Sequence, residues 1–156
     1  MDDGLITAWY PSWLWSLPLI VLTVVIHVVG LSLINERVVR PLSGIAQRRQ
    51  FTVGFVIIMA VVAWLVTLLH AIEGFAWAFA YERLGALPNT AAAVLYSFSA
   101  MTAYGHANIV LEPHWQLMGA LEALNGLMLF GLTTAFMFAV IERVWRLRQR
   151  SRASGR

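Results

Sequence analysis

The sequence contains no cysteine, no lysine and little charge of either sign. The missing cysteine excludes disulfides and thiolate metal sites and leaves the redox compartment unread. The missing lysine makes all eleven basic residues arginine. Charged residues are 12% of the 156, about half the share of an ordinary soluble domain, against 60% hydrophobic. A soluble fold of this length has too little interior to hide that much apolar surface, so the natural solvent is a bilayer. No repeat or low-complexity linker divides the chain. The net charge of +3 comes from arginine at the ends of apolar runs. It does not form a nucleic-acid surface; the expected partner is membrane lipid, not nucleic acid.

Three long apolar runs are present: Trp13 to Ile34, Phe51 to Ala80, and Trp115 to Trp145. At about 1.5 Å per residue each can cross a hydrocarbon core about 30 Å thick. The first carries His27 as its one ionisable residue, the second contains His70 and Glu73, and the third has Glu122 and the polar Asn125 inside it. The acidic start "MDDG", with no small-residue cleavage site behind it, argues against a signal peptide. A fourth apolar stretch, Thr90 to Met101, is too short to span and suits a re-entrant helix. Asn89 or Thr90 can cap it, and Pro88 stops anything earlier. Tryptophans at 9 to 15 and at 115 and 145 suit interfacial anchors, and His114 beside them is expected to be solvated.

Arginine placement predicts the topology. Arg37, Arg40, Arg48 and Arg49 follow the first run, and Arg143, Arg146, Arg148, Arg150, Arg152 and Arg156 follow or end the last. Only Arg83 falls elsewhere. Three spans with one re-entrant dip put ten of the eleven on one face, and a fourth span would split them. The positive-inside rule then predicts a multi-pass protein of the cell membrane, N-terminus outside and C-terminus cytoplasmic.

Between the short stretch and the last run lies "TAYGHANI", with neither helical nor strand periodicity. Non-helical backbone at membrane depth is tolerated where protein buries it or where it lines a watery cavity. Several copies around an axis can supply such a setting, and rings of backbone carbonyls then form a cation path. The plainer alternative is an ordinary external loop, with residues 90–101 a surface helix.

"LYSFSAMTAYGHANIVLEPHW", followed by "LEALNGLMLFGLTTAFMFAVIERVW", resembles the pore module of the potassium-channel superfamily, as in small bacterial ion-channel-domain proteins with an extra N-terminal span. The resemblance covers about residues 66 to 145, with "HAIEGFAWAFAYERLGALP" similar to the outer helix and turret. Without gaps, Thr102 takes the place of the threonine that ends the pore helix. Ala103, Tyr104, Gly105, His106, Ala107 and Asn108 then take the six signature positions, Thr–hydrophobic–Gly–Tyr–Gly–Asp. Only Gly105 keeps the signature residue. Ala103 lacks the hydroxyl the family offers its innermost ion site, and Ala107 replaces a glycine in a backbone of alternating handedness. A register slid by two aligns Tyr104–Gly105 with the family's Tyr–Gly, at the cost of a gap and of Thr102. His106 replaces a bracing tyrosine with a group that can titrate near neutral pH, so flux is expected to fall on acidification.

The resemblance implies an all-α integral membrane fold of three transmembrane helices, a re-entrant pore helix and a filter loop, assembled as a tetramer of identical subunits. It implies three regions: 1–50, an N-terminal helix and arginine-rich cytoplasmic loop; 51–146, the pore module; and 147–156, a basic tail too short to fold. The expected function is passive transport of potassium or another monovalent cation, with altered selectivity. The cation is ligated by the carbonyls of Ala103, Tyr104, Gly105 and His106. No enzymatic activity and no cofactor beyond the transported ion are expected. A channel-like sensor or partner subunit that does not conduct is the alternative, and a haem-bearing membrane redox protein is a further one.

The remaining polar and small residues carry paired readings. Gly126 and Gly131 suit either a hinge in the inner helix or close packing. His70 and Glu73 share a helical face and suit either a brace between outer and re-entrant helices or a proton relay. Glu122 and Asn125 are expected to bond behind the filter. His27 and His70 could serve as haem ligands only at one depth, and counting along the two runs offsets them by several residues.

Overall fold

The computed structural model describes the backbone of residues 3–46, 51–105 and 109–154, and the side chains of residues 9–43, 51–105 and 109–149. All regular structure among these residues is helical. Three stretches are long and apolar enough to cross a membrane: Trp9–Ser43, Phe51–Arg83 and Pro113–Gln149. By that length and composition the chain is a multi-pass membrane protein.

Helix α1 spans Asp3–Ile34 and tolerates Pro11 and Pro18 inside it. It does not end the helical chain. A π turn, Asn35–Val39, follows directly, with the Arg40 N–H donating to the Asn35 carbonyl, and α2 (Arg40–Ala46) continues. Arg37 and Arg40, expected in a loop, are therefore helical. Helix α3 spans Phe51–Arg83, α4 spans Thr90–Met101, and α5 spans Gln116–Ser154 after a 3-10 turn at Pro113–Trp115. The backbone of residues 147–154, expected as an unstructured tail, belongs to α5. The bounds of α4 are those the sequence predicts, and the cap is Asn89: its side-chain oxygen accepts from the Ala92 N–H at 2.9 Å.

Two compact units divide the chain: Met1–His27 with His70–Phe130, and Val28–Leu69 with Gly131–Arg156. The second has an apolar interior of Leu31, Ile34, Val39, Ile58, Val62, Val66, Leu69, Val140 and Val144. Gly30 there lies against the Leu69 side chain. The Arg148 guanidinium covers the Phe51 ring at 4.3 Å.

The first unit holds α4 between parts of α3 and α5. Its apolar cluster gathers Trp77, Tyr81, Leu87, Ala93, Leu111 and Met118. Small residues let α4 approach closely. A Cβ on Gly74 would touch the Phe98 ring at 3.1 Å, one on Gly119 would overlap the Tyr96 hydroxyl, and one on Gly126 would overlap the Met101 carbonyl.

Candidate functional site

The end of α4 carries the predicted filter residues. Thr102 is its C-cap, with Oγ1 donating to the Phe98 carbonyl at 2.7 Å. The Ala103 N–H donates to Ala100 O and the Tyr104 N–H to Ser99 O, both at 2.9 Å. Those two bonds, with Ala103 left-handed at φ 53°, make a Schellman cap. The end of α3 uses the same device: Gly85 N–H to Glu82 O, Ala86 N–H to Tyr81 O, and Gly85 at φ 67°. There the left-handed residue is glycine; at α4 it is an L-residue, at a cost of about 1–2 kcal/mol. Gly105 is left-handed as well, at φ 74°. Residues 102–105 are thus a closed turn on α4, where an extended loop was expected. Tyr104 is 81% exposed. His106, Ala107 and Asn108 lie outside the described residues. A groove of about 370 Å³ runs beside this turn, lined by Tyr96, Ser99, Ala103, Gly105, Leu111 and Gln116 among others.

Behind the turn, Glu122 ties three elements together. Tyr81 OH donates to its Oε2 at 2.7 Å, and the Ser97 hydroxyl is shared between its Oε1 at 2.5 Å and the Gly74 carbonyl at 2.8 Å. Both carboxylate oxygens are satisfied from α3 and α4. Tyr96, edge-on to Tyr81 at 5.3 Å, has its phenol pushed above the usual tyrosine range by burial and then by the Glu122 carboxylate. Asn125 makes a different contact, to α1: its Nδ2 donates to Thr23 Oγ1 at 2.8 Å. Thr23 spends its own proton on the Leu19 carbonyl at 2.9 Å, so its oxygen must accept, and this fixes which way the amide points.

His70 and Glu73 do share a face, but their brace runs to α1 and not to α4. Glu73 Oε1 lies 2.9 Å from His27 Nδ1, and its Oε2 lies 3.2 Å from His70 Nδ1. The His27 and His70 rings are 5.0 Å apart, and the His70 ring stacks on Phe130 at 4.4 Å. The expected offset in depth is therefore absent. The count along each apolar run starts at Trp13 and at Phe51, whereas the first helical stretch begins at Asp3 and runs on to Ala46, so the apolar bounds are not the helix bounds. His27 and His70 lie equally far in sequence from the midpoint between residues 48 and 49, and that symmetry is the available signal. Tyr81, Ser97 and Thr23 gave no comparable signal; a lone hydroxyl on an apolar helix does not name its partner.

The two candidate hinge glycines separate. Gly126 is a close-packing site against the Met101 backbone, whereas a Cβ on Gly131 would meet nothing within 4 Å. His114 is half exposed, as expected of a solvated residue.

These features belong to a multi-pass helical membrane protein with a short fourth helix packed among its spans. Comparison with known protein families, with curated proteins and with solved structures finds no match.

Proposed function

We propose that four identical copies of this chain surround a path for monovalent cations, with α4 of each copy re-entrant and residues 102–108 lining the path. The observation that carries this reading is how far along α3 and α5 the C-terminus of α4 packs. Met101 packs on Gly126, about 15 Å along α5 from Gln116 at about 1.5 Å per residue. On α3 the same end meets Gly74, about 14 Å back from Arg83. Those distances are about half of a bilayer core of about 30 Å. A helix that enters that far and returns by residues 109–115 dips into the membrane without crossing it. Its C-terminal end carries the negative pole of the helix dipole, which favours a cation there. The arginine distribution supports an external N-terminus and a cytoplasmic C-terminus. The transported ion is the only cofactor in this reading, and the chain is not an enzyme.

A second reading, a channel-like sensor or partner subunit that does not conduct, is favoured by one observation. The Ala103 and Tyr104 N–H groups are committed to a cap on α4, and position 103 has no hydroxyl. Two measurements separate the readings. Mass determination in detergent is expected to give a tetramer; monomer or dimer alone would remove the pore. Flux into liposomes is expected with both potassium and sodium, with little discrimination between them. A tetramer that passes neither ion would establish the second reading.

A further inference from the structure

We propose that His27, His70 and Glu73 form a binding site for one divalent first-row transition ion, of which zinc is the representative. Each of the three residues can offer one ligand atom, and these atoms all lie within 4.8 Å of one another. A hydrogen-bonded ion pair needs two groups; here three converge from two helices. Glu73 faces both imidazoles with one oxygen each, Oε1 at 2.9 Å from His27 Nδ1 and Oε2 at 3.2 Å from His70 Nδ1. The edge of a tetrahedron with bonds of about 2.0–2.1 Å is about 3.3 Å, and modest shifts bring one atom of each residue, all now within 4.8 Å, to that spacing. Two histidines and one carboxylate are a donor set that suits zinc or iron(II). Calcium and magnesium are disfavoured, because they take six or more oxygens or an octahedron of oxygen and water.

The surroundings fit such an ion. Glu73 and His27 have no side-chain exposure, and a carboxylate buried in a membrane protein needs a positive partner. A divalent ion supplies one while both imidazoles stay neutral. The His70 side chain keeps 12% exposure, which leaves a way in, and its ring is held in place by the stack on Phe130. The polar layer continues one turn along α1, where Asn125, bonded to Thr23, has a buried Oδ1 with no hydrogen-bond donor. Three protein ligands leave a coordination position for water, and that amide oxygen is a polar acceptor in the next layer.

The inference does not rest on the pore reading, and either can fail alone, because binding is measured without flux. The full chain, purified in detergent and stripped with a chelator, is titrated with zinc chloride and then with cobalt(II) chloride. One zinc per chain is expected by elemental analysis after dialysis. Cobalt is expected to give the intense visible bands of a four-coordinate ion, and this reading needs no variant to fold. His27→Gln and Glu73→Gln are expected to weaken zinc binding more than about 100-fold, beyond the usual cost of losing a group that only orients a ligand. His114→Gln is expected to leave it unchanged. Four results would each overturn the proposal: no stoichiometric zinc, the pale spectrum of six-coordinate cobalt, affinity retained in both variants, or a haem absorption band in the protein as purified.

Discussion

Of the buried polar and charged side chains among the described residues, Ser12, Ser16, Thr23, His27, Glu73, Ser97, Ser99, Glu122 and Asn125 lie in one unit. The other unit buries only Ser43, whose hydroxyl turns back to the Val39 carbonyl at 2.5 Å, and is otherwise filled by leucine, isoleucine and valine. The difference separates two ways of holding membrane helices. Lipid is as apolar as valine, so the apolar unit gains its cohesion from packing alone and tolerates changes of shape. The polar unit depends on pairing its buried groups with one another, because an unmet group has no water to turn to; Ser16 Oγ and Trp77 Nε1 are buried donors there without an acceptor. One register of α3, α4 and α5 satisfies Glu122, and a slip of one residue turns its carboxylate away from Tyr81 and Ser97.

Substitutions can break that contrast, beginning with the two inner-helix glycines. Gly126→Ala places a methyl group against the Met101 backbone, which cannot rotate aside. We expect a loss of about 3 kcal/mol, at the upper end for overpacking, or failure to fold. Unfolding in detergent by denaturant, followed by circular dichroism, measures it; a neutral result would mean that α4 is not seated where Gly126 meets it. Next in size is Glu122→Leu. It leaves the buried Tyr81 hydroxyl without its acceptor, while Ser97 keeps the Gly74 carbonyl, and stranding Tyr81 costs about 1–3 kcal/mol. The matching change in the apolar unit, Ile58→Val, is expected to cost about 1 kcal/mol. Equal losses from these two would erase the distinction between the interiors.

The two helix ends sharpen it further. Gly85 and Ala103 occupy the same left-handed place in the same capping motif. Exchanging their chemistry should move stability in opposite directions: Gly85→Ala down and Ala103→Gly up, each by about 1 kcal/mol. Thermal unfolding of the two variants side by side tests this, and a loss in Ala103→Gly would show that Ala103 is not held by the cap. The smallest effect belongs to Gly131→Ala. With open space around that position, the change is expected to stabilise α5 by about 0.5 kcal/mol through helix propensity. A loss at Gly131 as large as that at Gly126 would restore the hinge as a reading of both.

Much of this protein is legible in its sequence. Scarce charge and long apolar runs dictated the solvent, and the solvent dictated helices, since each helix satisfies its own backbone. The bounds of α4 and its Asn89 cap followed from local chemistry that needs no tertiary partner: Pro88 stops what precedes, and a short side chain meets the third amide of the helix. Tertiary structure decided which faces meet. Periodicity places Glu73 and His70 on one stripe of α3, yet says nothing of what lies opposite. The answer, His27, lies on another helix, 46 residues away in sequence, and no periodicity of α3 names it. Likewise Gly126 and Gly131 are alike as residues in one helix, and only the arrival of Met101 at one of them made the first a contact and left the second open. Composition and local propensity act over a few residues and survive in the sequence. Contacts between helices depend on the summed length of everything between them, and that sum is settled only when the chain is folded.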